Sequence, residues 1–323
     1  MESITNKPTI ICLTPVRNEA WILDTFLQST SLWADHIIIA DQLSTDGSQN
    51  IALKYPKVRL ITNNSPEYNE QARQTLLIEE ARKIHGKKLI ITLDADEIFT
   101  ADVMKTDDWQ KMLHAPLGSI FGFSWINILP GYKQCWISKG NFPWAFMDDG
   151  NTHKGNAIHS PRIPISNWAA IIPLKEICVL HYQYINWERM QSKHVYYQCL
   201  ERIKFPHKSA IEIFRMYNHM YNIPDNLKIS CNQNWFKAYE DAGINVRNIR
   251  FDIINWFDKE VADMIELHGP RRFHKEFIWE KKIKKHDKRN VLDKLIHLWL
   301  YKTRSIANNR GVNFIDKYLK KVY

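Results

Sequence analysis

Two carboxylates one residue apart, Asp94 and Asp96, follow directly on an apolar run, Leu89-Ile90-Ile91-Thr92-Leu93. Hard carboxylate oxygens in that spacing suit Mg²⁺ or Mn²⁺, and the carboxyl end of a strand is where open α/β sheets meet their ligands. Asp-x-Asp is also an ordinary turn or helix cap, because Asp readily bonds nearby backbone. Two earlier segments shift the balance toward chemistry. Thr9 to Thr14 runs into Pro15-Val16-Arg17-Asn18-Glu19, and His36 to Ala40 runs into Asp41 and then Ser44-Thr45-Asp46-Gly47-Ser48. One polar strand end is a cap; three facing one crevice make a site.

The elements that must position these residues are legible as alternating periods. After the first strand, Ala20, Leu23, Phe26 and Leu27 recur at helical spacing up to Ser31. A helix through Tyr55 follows the second strand, Val58 to Thr62 makes a third, and a helix from Tyr68 to His85 leads into Leu89. Such alternation implies right-handed crossovers and a mostly parallel sheet flanked by helices, an α/β fold. Beyond it, Ala101 to Leu117 reads as a helix and Ile120 to Leu129 as a strand. Ile177 to Leu180 is a strand ending in His181, and helices are expected from Asn186 to Lys204 and from Pro206 to Tyr221. Amphipathic helices over Asn245 to Leu267 and Val291 to Tyr301 form a basic C-terminal extension. The expected divisions are 1–100, 101–222 and 223–323.

The net charge of +9 is concentrated. Residues 271–323 hold 16 Lys and Arg against 5 Asp and Glu, leaving 28 against 30 elsewhere. Cations beside Trp- and Leu-bearing helices suit an anionic membrane surface, or a solvated basic helix packed on the rest. No nucleic-acid recognition motif accompanies them. No apolar run reaches spanning length, and the opening residues lack the apolar stretch of a signal peptide. Five scattered cysteines without a Cys-x-x-Cys pair fit reduced thiols, hence a cytoplasmic protein, peripheral on the inner face of the membrane if the extension binds lipid.

From Thr9 to Ile98, and more weakly to Pro206, the three strand-end motifs resemble those of the family-2 glycosyltransferases. The resemblance implies a GT-A (Rossmann-like) fold and inverting transfer of a sugar from a nucleotide diphosphate. It places Pro15, Arg17 and Glu19 around the nucleotide, Asp41 on the base, Asp94 at the ribose and Asp96 on the metal. Glu70-Gln71-Ala72-Arg73 resembles a family helix start whose Arg lies near the nucleotide, making Arg73 a phosphate or ribose contact. Leu43 stands where the family has a small residue. His181 is the expected remaining ligand to Mn²⁺ or Mg²⁺, against a hydrogen-bonded core histidine. Lys193, with Arg189, is a candidate donor-phosphate contact, against a solvated helix face. The general base is expected at Asp148 or Asp149, with a surface turn at Asp149-Gly150 as the bland reading. Trp125, Trp136, Phe142, Trp144 and Phe146 read as core or as sugar-stacking rings, and His159 as structural or as an acceptor contact.

The function expected is metal-dependent transfer of a single sugar, from a UDP-sugar donor to an acceptor hydroxyl of a cell-surface glycan or lipid-linked saccharide. The processive-synthase Gln-x-x-Arg-Trp pattern is absent. A sugar-phosphate nucleotidyltransferase is the alternative, but its Gly-rich phosphate loop is replaced by Pro15 to Glu19. A non-catalytic protein acting through the basic tail is the third reading.

Overall fold

The computed structural model describes residues 7–65, 67–165, 170–249, 251, 255–279 and 286–323. It divides into two compact units, Met1–Ile185 with Ile229–Phe251, and Asn186–Lys228 with Asp252–Tyr323. The boundaries expected at 100 and 222 are not where the chain divides. One sheet runs through position 100, and the segment after 228 returns to that sheet.

The first unit begins β1 (Thr9–Val16), α1 (Ala20–Thr30), β2 (His36–Asp41), α2 (Ser48–Ala52), β3 (Val58–Thr62), α3 (Glu70–Arg82) and β4 (Lys88–Thr92). It continues β5 (Glu97–Phe99), α4 (Asp107–His114), β6 (Ile120–Ile128), β7 (Gln134–Ile137), β8 (Phe142–Met147) and β9 (Ile171–His181). After the second unit's α5 (Trp187–Lys204) and α6 (Ala210–Tyr217), it takes back β10 (Ile229–Ser230) and α7 (Asn234–Asp241). The strand order is β10-β7-β6-β8-β4-β1-β2-β3, with β9 joined to β6 and β5.

The four-strand part built from β3, β2, β1 and β4 is parallel, with Leu13 opposite both Ile38 and Thr92. Their side chains alternate between two cores. Ile10, Cys12, Ile37, Ile39, Leu89 and Ile91 pack with Leu23, Phe26 and Leu27 of α1. Ile11, Leu13, Ile38, Ala40 and Ile90 meet Leu77, Ile78 and Ala81 of α3. A strand buried on both faces reads as an unbroken apolar run, which is why β1, β2 and β4 were visible in the sequence, whereas the edge strand β3 is only half-buried. Beyond β4 the sheet is mixed. β8 runs antiparallel to β4 with Met147 opposite Leu89, and β6 is antiparallel to β8 and parallel to β9.

The second unit holds α5, α6, α8 (Trp256–His268), α9 (Val291–Thr303) and α10 (Arg310–Val322). The helix expected from Asn245 starts only at Trp256, where Asn255 caps it by accepting from the Phe257 N–H. Ala210, Ile211 and Phe214 of α6 pack on Ile296 and Leu300 of α9 and on Tyr323. Residues 280–285 of the basic C-terminal extension lie outside the described residues. No described helix is long and apolar enough to cross a membrane. All five cysteines are free thiols, and burial pushes Cys12 up to about 12.

Candidate active site

The parallel register brings the carboxyl ends of β1, β2 and β4 side by side, with Val16 opposite Asp41 and Leu13 opposite Thr92. Polar stitches join the first two ends. The Asn18 N–H donates to Ser44 Oγ at 2.9 Å, the Thr45 N–H to Asn18 Oδ1 at 2.7 Å, and the Glu19 N–H to Ser48 Oγ at 3.0 Å. Pro15, Arg17 and Glu19 are half-buried along this rim, and Trp21 Nε1 donates to the Glu19 carboxylate. Asp41 is 1 % exposed. Its Oδ2 accepts from Ser44 N and Gln49 Nε2, while its Oδ1 is buried with no hydrogen-bond partner. A buried carboxylate oxygen left open is costly unless a ligand donor meets it.

Leu43 adopts φ 54°, the left-handed conformation that a β-carbon disfavours. The departure from a small residue noted in the sequence therefore falls at a position that carries backbone strain, with the side chain 49 % exposed.

At the third strand end, Asp94, Asp96 and Glu97 share a few ångströms with Arg162. The Arg162 guanidinium donates from Nη2 to Asp94 Oδ2 at 2.7 Å and to Glu97 Oε1 at 3.0 Å, and from Nη1 to Glu97 Oε2. Its Cζ lies 4.4 Å from the Trp144 ring centroid, a cation–π contact. Glu97 is wholly buried and also accepts from the Asp94 N–H. Burial pushes its carboxyl up to about 7; Arg162 pulls it down, and the charges of Asp94 and Asp96 push it up again. Burial works against the Arg162 charge, yet Asp94 and Glu97 raise its pKa above the ordinary guanidinium value.

His181 ends β9, opposite Glu97 of β5 on one side and Asn127 of β6 on the other. Its Nε2 stands 3.8 Å from Asp96 Oδ2, both side chains about 5 % exposed. Its Nδ1 is 2.8 Å from Asn127 Oδ1, and Asn127 Nδ2 donates to Ser138 Oγ at 2.9 Å. The amide thus presents its oxygen, so Nδ1 carries the proton and the Nε2 lone pair faces Asp96. Trp125 stacks on the imidazole at 4.4 Å. This donor set fits a divalent cation: a carboxylate and a tautomer-fixed imidazole converge, with a second residue orienting the ring. Among the described residues no cluster of three or more His, Cys, Asp or Glu forms a metal cage. Mg²⁺-type sites commonly complete their shell with substrate phosphates and water.

A strap over 153–162 carries Arg162 to this edge along the amino end of α3. The N–H groups of Glu70 and Gln71 donate to Ala157 and Asn156 carbonyls, Ser160 N–H donates to Glu70 Oε2, and His153 bridges Thr75 and the Pro161 carbonyl. Gly155 permits the fold-back, since a Cβ there would lie 1.8 Å from Ser160 Oγ. His159 sits in the strap at φ 59°. Arg73, in the first turns of α3, lies over the Tyr68 ring at 5.2 Å.

Asp148 and Asp149 are not brought to this edge. β8 runs opposite to β4, so its carboxyl end lies at the amino end of β4, where Asp148 N–H donates to the Lys88 carbonyl. Asp94 lies five residue steps beyond Leu89, roughly 16 Å at an extended rise. There Arg82 grips Asp148, Nη2 to Oδ1 at 2.8 Å and Nε to both oxygens at 3.2 Å. Asp149 is exposed and accepts from Asn151, closing the turn at Gly150. The general-base expectation for these two is corrected on that ground. Lys193 is half-buried on α5 in the second unit.

Arg162, Glu97 and Asn127 went unassigned in the sequence. Asn127 had a signal, an amide inside an apolar strand, where buried polar groups need a partner. Arg162 had none, because its loop has no period. The aromatic group divides as well: Trp136, Trp144 and Phe146 are core, whereas half-buried Trp125 faces His181.

Residues 11–114 match the family model described as Glycosyl transferase family 2. No curated protein matches the chain. Among solved structures it is similar to S. aureus TarS 1-349, at 10 % identity over 94 % of this chain and 83 % of that one, with a TM-score of 0.36. It is also similar to a 4-diphosphocytidyl-2C-methyl-D-erythritol synthase (12 % identity, 44 % and 75 % covered, TM-score 0.28). HddC from Yersinia pseudotuberculosis aligns at 13 % identity over 43 % and 72 %, with a TM-score of 0.25. At such TM-scores the weight rests on the family match, whose span holds all three polar strand ends.

Proposed function

We propose that this chain acts as a family-2 glycosyltransferase, moving one sugar from a nucleotide-diphosphate donor, UDP-linked by preference, to an acceptor hydroxyl of a cell-surface glycan or lipid-linked saccharide, with inversion. The observation that carries the reading is the approach of Asp96 Oδ2 to His181 Nε2, with the imidazole tautomer set by Asn127. These two residues would hold Mn²⁺ or Mg²⁺. When bound, the cation supplies positive charge to the departing nucleoside diphosphate.

The remaining roles belong to the chain itself. The open Asp41 Oδ1 accepts an N–H from the base, with Pro15, Arg17 and Glu19 lining the same rim. Asp94 faces the ribose and is held in place by Arg162. Arg73 is a proposed donor contact. The acceptor's proton goes to a group at this carboxyl edge, which Asp148 and Asp149 do not reach. The parallel strands fix the crevice before donor arrives, so the charged groups need little reorganisation.

Asp96→Asn tests the reading with a set of nucleotide sugars and Mn²⁺ as probes. Turnover should fall at least about a hundredfold with the melting temperature unchanged. Asn127→Ala should weaken Mn²⁺ binding about ten- to a hundredfold. Undiminished turnover in the Asp96 variant rejects the assignment.

A further inference from the structure

The C-terminal helices of the second unit are apolar on two sides. α9 turns Ile296, His297 and Leu300 inward, yet its outer side exposes Val291 at 76 %, Leu292 at 60 %, Leu295 at 59 % and Leu298 at 49 %. α10 buries Val312 and Asp316 but exposes Phe314 at 62 %, Tyr318 at 57 % and Val322 at 76 %. A helix facing only water turns a polar side outward. The two inner faces belong to one core around α6, and Arg215 of α6 ties them together by bonding both Asp316 and Thr303. The outer faces therefore turn away from a common support. Lysines sit among the exposed apolar residues: Lys294 and Lys302 on α9, and Lys317, Lys320 and Lys321 on α10.

Charge decides among occupants. With 16 basic against 5 acidic residues over 271–323, a second copy of this face would meet like charge. A nucleic acid would satisfy the lysines but leave the Leu, Val and Phe side chains in water. An anionic bilayer satisfies both, since shallow insertion covers the apolar side chains while lipid phosphates meet the ammonium groups. Tyr318 and Tyr301, with an apolar ring and a polar tip, suit the headgroup boundary.

We propose that the outer faces of α9 and α10 seat the protein on an anionic lipid bilayer, with Leu295, Leu298, Phe314 and Tyr318 entering the headgroup boundary. The proposal takes its purpose from the lipid-linked acceptor reading and names the surface on which that acceptor is met.

The test is co-sedimentation of the full chain with vesicles of three parts phosphatidylcholine to one part phosphatidylglycerol, and with phosphatidylcholine alone. Binding to the anionic vesicles should exceed binding to neutral ones by about tenfold or more and weaken strongly in high salt. The double variant Leu295→Glu/Phe314→Glu should lose about tenfold of that binding at unchanged melting temperature, because both side chains are exposed. Lys317→Glu/Lys321→Glu should remove the preference for anionic lipid. Equal binding to both vesicles, no loss in the Leu295/Phe314 variant, or a dimer in light scattering that this variant dissolves would each overturn the proposal. Failure here is separable from failure of the transferase reading. Asp96→Asn should still sediment with vesicles, and the helix variants should still hydrolyse soluble nucleotide sugar.

Discussion

Replacing Arg162 by Met would strip Glu97, a wholly buried carboxylate, of the ion-pair partner it has among the described residues, and remove the 2.7 Å bridge to Asp94. Breaking one side of a buried pair costs about 3–5 kcal/mol, because the remaining charge stays desolvated. Glu97 has an escape, since burial already places its carboxyl at about 7 and loss of the guanidinium raises it further. It would take up a proton near neutrality, which sets the expected loss at about 3 kcal/mol, the lower end of that range. For a unit of this size that corresponds to a melting temperature lower by roughly 6–12 °C. Adding Glu97→Gln removes the stranded charge while an amide oxygen can still accept from the Asp94 N–H. The double variant should therefore recover at least about half the loss, about 1.5 kcal/mol. Thermal and urea unfolding of the parent, both single variants and the double variant give the cycle. A single variant melting within about 2 °C of the parent, or a double variant no better than Arg162→Met, would refute the reasoning.

Asp148→Asn should lower stability by about 1–3 kcal/mol through the weakened Arg82 grip and leave kcat/KM within about twofold; a tenfold loss of kcat would restore the base assignment. Leu43→Asn should stabilise by about 0.5–1 kcal/mol, because Asn tolerates the left-handed turn; unchanged urea midpoints would contradict the strain at φ 54°. Burial holds His297 near 4, against the supporting bond to the Lys275 carbonyl, while Arg289 Nη1 donates to its Nδ1 at 2.9 Å. Its folded pKa lies below the unfolded imidazole's, so the unfolded chain binds the extra proton, and stability present above about pH 6.5 is lost as pH falls toward 4. The effect is up to about 3 kcal/mol. Buried Glu276, pushed up to about 7, has the opposite slope between about 4.5 and 7. His297→Gln isolates the first contribution: between pH 7.5 and pH 5 its melting temperature should move upward relative to the parent's, and parallel curves would contradict it.

The sequence by itself determined the parallel part of the sheet and the three polar strand ends, because strands buried on both faces must be apolar throughout and their polar ends stand out. It also singled out Asp96 and His181 near the ends of two apolar strands, while the fold alone sets their 3.8 Å separation. Tertiary structure decided what register controls. β8 reads as an apolar run ending in two acids, much as β4 does, yet its opposite direction sends Asp148 and Asp149 to the far end of the sheet. Nothing in local composition encodes strand direction, which is set by which neighbour the segment pairs with. Arg162 and Asn127 enter the site by the same rule: the strap over α3 and the β6–β9 pairing place them there, through contacts between residues 65 and 54 positions apart.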